Sequence, residues 1–281
     1  MRVGVQESSQ NRGQKSVQKR VTNKLQKGGP ETAQQRPPGS YRMSASLNRA
    51  SRRYSTLLRN PMVNTPITHF LFDLDGTLMD SDALHHAAFN TILSRWNRSV
   101  DVEYYKTHIM GASNAMIFNH LFPGMPPSEY QPLAEEKEQL FRSQLDQQVA
   151  PTPGIERLLD HIARIGGRSA VVTNAPRANA ELMLKATGLA GRFDTLVIGD
   201  ELERAKPDPL PYLTALQLLG GTPGQAVAFE DSSSGVKAAS SAQVWTFGML
   251  GGLDEARLRA AGAHAVIRDF NGQALWDKIG G

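Results

Sequence analysis

Two aspartates one residue apart, Asp73 and Asp75, close an apolar run in Phe72-Asp73-Leu74-Asp75-Gly76-Thr77-Leu78, and an acidic pair, Glu230-Asp231, closes another. Side chains two apart at a strand end point the same way, so Asp73 and Asp75 can address one reacting atom. One carboxylate can attack as nucleophile while its partner moves a proton, dividing a hard displacement into two easier steps. Clustered carboxylates repel, and a hard cation with oxygen ligands relieves that repulsion. Mg²⁺ suits the pattern because it binds through one or two carboxylates plus substrate phosphate. A hydroxyl ends another run at Thr173-Asn174, and a cation follows a further one at Lys206-Pro207-Asp208-Pro209. Together they would balance and hydrogen-bond charge on a phosphoryl group. Gly76 suits the tight turn that such a strand end requires.

These groups act together only if one sheet edge collects them. Short apolar, β-branched or aromatic runs occur at THFLFD, RSAVVT, DTLVIG, QAVAFE, QVWTFG and HAVIR, and from the second onward they alternate with helical spacing such as Ile155, Leu158, Leu159, Ile162 and Ile165. Continuous apolar strands separated by helices predict an α/β, Rossmann-like parallel sheet covered on both faces. Its active site belongs at the carboxyl ends of the strands. Roughly 95 residues without a strand candidate separate the first run from the second, far more than an ordinary connection. They hold helical stretches at Ala83–Trp96, Ala115–Leu121 and Pro132–Leu145. The expected organisation is a core of residues 65–79 and 153–281 with an inserted helical domain, residues 80–152. Pro151, Pro153 and Gly154 mark the return.

In this order and spacing, FDLDGTL, VVTN, KPDP and FEDSSSG resemble the four signature motifs of the haloacid dehalogenase (HAD) superfamily of phosphohydrolases, over about residues 66–270. The helical insertion resembles the cap of the subgroup that holds phosphoglycolate phosphatase, small sugar phosphatases and β-phosphoglucomutase. The resemblance implies that Asp73 forms an aspartyl-phosphate and that Asp75 is the general acid and base. It implies that Thr173 and the backbone after it, at Asn174, hold phosphoryl oxygens, and that Lys206 neutralises charge and orients Asp73. Mg²⁺ would be held by the Asp73 carboxylate, the Asp75 carbonyl and Asp231. Glu230 is either a further ligand, direct or through water, or an ion-pair partner of Lys206. In cap-bearing relatives a histidine at the position of His85 faces the cleft, and Lys137 resembles a cap lysine used on substrate, its alternative being a solvated helix face. Arg177 is placed to reach a second anionic group or is an ordinary exposed arginine, and Asp208 is expected to shape the turn that presents Lys206. Haloacid dehalogenases themselves lack a second aspartate like Asp75 and need no metal. Mutases carry an arginine where this chain has Asn114.

The expected reaction is therefore Mg²⁺-dependent hydrolysis of a small phosphomonoester, a sugar or polyol phosphate. An isomerase of the phosphoglucomutase kind is the first alternative. A non-catalytic protein with a basic arm for nucleic acid or membrane is the second.

Charge arithmetic separates the arm from the remainder. The 281 residues carry a formal charge of +4, but residues 1–62 hold thirteen Lys/Arg against Glu7 and Glu31, a charge of +11, and the rest is −7. With no cysteine, a disulfide framework, a thiolate zinc site and a cysteine nucleophile are excluded. No run approaches the roughly 18 apolar residues of a membrane span. The first 40 or so residues are Gln-, Lys-, Ser- and Gly-rich without apolar periodicity, one short amphipathic stretch follows around Leu47, Ala50, Tyr54, Leu57 and Leu58, and residues 1–64 are expected to be a disordered basic extension. A start at Met43 or Met62, a mitochondrial-type targeting segment and a polyanion-binding arm are its three readings. The expected partner is a small phosphorylated metabolite, with no specific nucleic acid. The expected compartment is the cytoplasm, or the mitochondrial matrix if the extension is a transit segment. The sequence carries no signal of oligomeric state.

Overall fold

The computed structural model describes residues 66–145 and 149–280. The expected extension over residues 1–64, with its start-site, targeting and polyanion-binding readings, lies outside the described residues.

Six strands form one parallel sheet: β1 (His69–Phe72), β2 (Arg168–Thr173), β3 (Thr195–Ile198), β4 (Ala226–Glu230), β5 (Trp245–Met249) and β6 (Ala265–Ile267). Each falls on one of the apolar runs. The order is β3-β2-β1-β4-β5-β6, so the chain winds outward from β1 to β3 and then restarts on the other side of β1. The reversal leaves a crevice beyond the carboxyl ends of β1 and β4.

Helices α1 (Asp82–Leu93), α2 (Val102–His108), α3 (Asn114–Leu121) and α4 (Pro127–Gln144) fill the long connection between β1 and β2. The core helices are α5 (Ile155–Arg164), α6 (Arg177–Ala186), α7 (Leu210–Leu219), α8 (Ser233–Ser241), α9 (Glu255–Ala261) and α10 (Gln273–Ile279). No helix of the described residues is long and apolar enough to cross a membrane.

Strand alternation distributes one sequence between two apolar layers. Phe70 and Phe72 of β1 join Val171, Val227, Phe229 and Phe247 on one face, packed beneath α5, α6 and α10. Leu71 joins Ala170, Val172 and Ala228 on the other, where alanines let α7 and α8 approach closely. On the first face Phe229 stacks between Phe72 and Phe247, with ring centroids 4.8 and 5.4 Å away.

The helices between β1 and β2 have an apolar cluster of their own, centred on Phe89, Leu93, Tyr105, Ile117, Phe118 and Tyr130. Two features differ from the sequence expectation. Helix α2 has no counterpart there because it is only two turns long and buries a single residue, Tyr105. Its start is fixed instead by the Asp101 side chain, which accepts from the Tyr104 amide at 2.7 Å. Helix α4 begins at Pro127, where a missing amide costs nothing, and runs through Pro132. Reading Pro132 as the start was wrong because a proline near the beginning of a long helix forfeits only one hydrogen bond.

Phe229 is fully buried, so Phe229→Ala is expected to cost about 3–5 kcal/mol, seen as a lower urea midpoint at unchanged slope. Leu218, 60 % exposed, should change stability by less than about 0.5 kcal/mol when replaced by alanine. Equal effects would show that the aromatic stack does not hold the sheet together.

Candidate active site

The backbone beyond β1 turns sharply to bring Asp73 and Asp75 to the crevice. Asp73 extends the ladder by donating its amide to the Phe229 carbonyl at 3.0 Å, and the amides of Thr77, Leu78 and Met79 all converge on the Leu74 carbonyl. Gly76 takes φ +69°, and a Cβ there would lie 2.0 Å from Asp231 Oδ2. Only glycine satisfies both the left-handed turn and the close approach of the β1 and β4 ends.

Lys206 reaches into this end of the sheet with 2 % exposure. Its ammonium donates to Asp73 Oδ1, Glu230 Oε1 and the Val172 carbonyl, each at 2.6 Å, which uses all three of its donors. The Tyr212 hydroxyl also donates to Glu230 Oε1. Burial alone would lower the proton affinity of Lys206, but Asp73 and Glu230 outweigh it and keep the ammonium charged.

The carboxylates around it are over-supplied. Burial pushes Asp73 up to about 8 against the pull of Lys206, with Glu230 and Asp75 adding to the rise. Burial and the Asp73 charge also hold Asp231 well above the usual range. Oxygens of Asp73, Glu230 and Asp231 lie within 4.8 Å of one another. Glu230 Oε2 is buried without a hydrogen-bond partner among the described residues, beside Gly235 in the first turn of α8, where a Cβ would be only 1.8 Å away. All-oxygen donors and excess buried negative charge fit a hard divalent cation. The structure thus joins the two readings of Glu230: one oxygen pairs with Lys206 while the other is left over.

Thr173 ends β2 with its hydroxyl accepting from the Ala175 amide at 3.0 Å. Asn174 lines the cavity, but its side chain is committed elsewhere. Its Oδ1 accepts from the Lys206 amide at 3.2 Å, and its Nδ2 donates to the carbonyls of Lys206 at 3.2 Å and Gly111 at 3.0 Å. This side chain is a brace that fixes Lys206 and ties the helical insertion to the core, while the expected phosphoryl contact falls to the backbone after Thr173. Asp208 shapes its turn by accepting from the Leu210 amide at 2.9 Å.

A second polar chain comes from the insertion. Asp75 Oδ1 accepts from the Ser81 hydroxyl at 2.6 Å and pairs with His85 Nε2 at 2.9 Å. Burial raises the proton affinity of Asp75, but the bonds from His85 and Ser81, with the Lys137 charge nearby, reverse the balance and leave it lowered. His85 stacks flat on Phe141, 3.9 Å between centroids. The Lys137 ammonium donates to its Nδ1 at 2.9 Å, so the proton sits on Nε2 and points at Asp75. Lys137 is 3 % exposed, which removes its reading as a solvated helix face.

The structure therefore gathers Asp73, Asp75, His85, Lys137, Thr173, Asn174, Lys206 and Asp231 around one cavity of about 60 Å³, with Glu230 directly behind. Arg177 is not there. It is half exposed and clamped by Glu201 through two bonds of 2.7 Å, so the expectation of a second anion contact is corrected. Ser81, Tyr212 and Glu138 are functional neighbours that sequence reasoning missed. Ser81 had a usable signal, a capping-type residue directly before a helical run. Tyr212 lies on an apolar helix and gave none.

A doubly wound parallel sheet whose switch point collects a lysine, a hydroxyl and clustered carboxylates under a helical insertion defines the class: a Rossmann-like α/β protein with a covered acidic site. Residues 70–249 match the haloacid dehalogenase-like hydrolase family, and the chain belongs to it. It is 29 % identical over 205 residues to the phosphorylated carbohydrates phosphatase of Thermotoga maritima, covering 70 % of this chain and 93 % of that protein. It is 32 % identical over 185 residues to the phosphoglycolate phosphatase of Xylella fastidiosa, covering 66 % and 81 %. The crystal structure of CbbY from Rhodobacter sphaeroides in complex with phosphate is similar at a TM-score of 0.68 and 27 % identity, over 76 % of this chain and 99 % of that one. The chain is accordingly an enzyme, a phosphoric monoester hydrolase of the HAD type, and the non-catalytic alternative falls away.

Asp73 holds its proton to about pH 8 in the fold, against an ordinary value of 3.8. The folded state therefore binds more protons than the unfolded chain over that window. Its stability from this group is full below the ordinary range and is lost as pH rises through about 8. A divalent cation offsets the loss, so Mg²⁺ is expected to raise Tm more at about pH 8 than at about pH 5.5. Calorimetry in Mg²⁺ and in EDTA checks this, and an increment independent of pH would argue against a metal at this cluster.

Proposed function

We propose that the protein is a Mg²⁺-dependent phosphatase that hydrolyses a small sugar or polyol phosphate through an aspartyl-phosphate on Asp73. The observation that carries the reading is the Lys206 ammonium holding one oxygen of Asp73 at 2.6 Å on the floor of a cavity that Asp75 also lines. In this reading residues 80–152 act as a cap over the core of residues 65–79 and 153–281. The reaction is placed in the cytoplasm, or in the mitochondrial matrix if residues 1–61 serve as a transit segment.

The carboxylates of Asp73 and Asp231 and the Asp75 carbonyl would hold Mg²⁺, with Glu230 supplying its unpartnered oxygen directly or through water. When bound, the cation neutralises the acidic cluster and withdraws charge from phosphoryl oxygens.

Lys206 fixes Asp73 so that its second oxygen attacks phosphorus in line with the departing ester oxygen. The P–O bond to the alcohol breaks as the Asp73–phosphorus bond forms. Thr173 and the backbone after it receive the phosphoryl oxygens, and Lys206 follows the shifting negative charge. The negative phosphoryl group raises the proton affinity of nearby Asp75, which takes up a proton from solvent as substrate binds and passes it to the leaving alcohol. Once the alcohol departs, the bonds from Ser81 and His85 hold Asp75 as a carboxylate. Asp75 takes a proton from water, and the resulting attack on phosphorus releases phosphate and restores Asp73. Closure of the insertion keeps bulk water out until that second step.

Asp73→Asn is expected to reduce phosphate release from p-nitrophenyl phosphate and from sugar phosphates to background. Asp75→Asn should lower kcat by about 10²–10⁴-fold, whereas Arg177→Ala, which breaks only a surface ion pair, should stay within about twofold. A colorimetric phosphate assay reads all three. Undiminished release by Asp73→Asn would overturn the mechanism.

A further inference from the structure

The insertion buries a carboxylate, Glu138, that the proposed chemistry does not use. It is 2 % exposed and lines the same cavity as Asp73. Three elements hold it. Its Oε1 accepts from Asn114 Nδ2 of α3 at 2.8 Å and from the neighbouring Lys137 ammonium at 3.0 Å, while its Oε2 accepts from Asn179 Nδ2 of α6 at 2.6 Å. Burial works against its charge, but Lys137 and His85 more than compensate and keep it ionised.

Among the described residues, the cations on this side of the cavity already have partners. Lys137 is paired with Glu138 and bonded to His85. Lys206 is saturated by Asp73, Glu230 and a carbonyl. Arg177 is clamped outside by Glu201. Asp82 adds another carboxyl to the same wall and receives the Tyr105 hydroxyl at 3.2 Å. A carboxylate or second phosphate on the substrate would be stripped of water here beside Glu138, and the one ammonium at hand, Lys137, is already paired with Glu138. A hydroxyl meets the opposite situation, because it can donate to carboxylate and amide oxygens.

We propose that Glu138, fixed by Asn114 and Asn179, is a specificity-determining residue that rejects substrates with a second anionic group and accepts uncharged hydroxylated leaving groups. This inference rests on the phosphatase reading and sharpens it: the substrate is a monophosphate of a neutral polyol or sugar, and neither a phosphorylated carboxylic acid nor a bisphosphate. Two like charges roughly 7 Å apart at an effective dielectric near 20 correspond to about 50-fold in affinity.

The test compares kcat/KM, with Mg²⁺ present, for glycerol phosphate, hexitol 6-phosphate and fructose 1-phosphate against 2-phosphoglycolate and glucose 1,6-bisphosphate. The neutral group is expected to lead by about 50-fold. Glu138→Gln and Asn114→Lys should each narrow that ratio by roughly tenfold, through lower KM for the anionic substrates. A merely structural role would lower both groups equally and leave the ratio unchanged, which would overturn the assignment to Glu138. Calorimetric binding to Asp73→Asn should show the same order without turnover. Preference of the wild-type enzyme for phosphoglycolate or the bisphosphate would overturn the inference while leaving the phosphatase reading intact. Absence of phosphate release from every substrate, p-nitrophenyl phosphate included, would overturn both.

Discussion

The buried ammonium of Lys206 stands between two carboxylates, Asp73 and Glu230, that belong to neighbouring parallel strands and could not share so small a volume without it. Removing it would leave like charges in a dry pocket, where repulsion and desolvation act in the same direction. Much of the surrounding structure serves to keep this one group in place. Asn174 grips the Lys206 backbone on both its amide and its carbonyl. Asp208 forms the turn that follows. The Val172 carbonyl takes the third proton of the ammonium. The sheet order that sets β1 between β2 and β4 brings these donors and acceptors from distant parts of the chain to a single point.

The helical insertion meets the core through polar bonds of a comparable kind. His85 joins it to Asp75 at one point and Glu138 joins it to Asn179 at another, with Lys137 bridging the two inside the insertion. Asn174 contributes a third bond, to the Gly111 carbonyl, from the same loop that holds Lys206. Seating of the insertion is thus coupled to the alignment of the groups below it: the bonds that join it to the core are made by residues that also hold Asp75 and Lys206. Arg142 reinforces the contact by donating to Asn179 Oδ1 at 2.7 Å. Such a network is stable only when its members are satisfied together, which favours two discrete arrangements of the insertion over a continuum.

Most of the fold was legible because its strands are short apolar runs whose two faces are both buried, a pattern that survives without knowledge of neighbours. Three of the chemistry-bearing segments were legible for the same reason, since each directly follows a run, and Lys206 comes only eight residues after the end of β3. What escaped reading depends on contacts between segments far apart in the chain. Tyr212 matters because its hydroxyl reaches Glu230, and Glu138 because Asn179 and Asn114 meet it. Neither fact has a local signature. Arg177 failed in the opposite way: its spacing from Thr173 was suitable, but Glu201, from the loop after β3, captured it. Helix α2 was missed because a single buried side chain cannot produce a periodicity.

Asp73 and Asp75 are two residues apart on the same turn, yet their surroundings push their proton affinities in opposite directions. Asp73 sits among other carboxylates and rises to about 8 despite Lys206. Asp75 is surrounded by donors from Ser81 and His85 and falls below the ordinary range. Divergent environments for paired acids are how one constellation assigns distinct roles. The upward direction at Asp73 also supports the proposed role of a cation at this cluster. A carboxyl that keeps its proton near neutral pH is a poor nucleophile, and added positive charge at the Asp73, Glu230 and Asp231 oxygens restores the carboxylate form. Asp75 needs no such help, because its donors come from the insertion. In the proposed mechanism the nucleophile therefore depends on what the core binds, and the proton-transfer group depends on whether the insertion is seated.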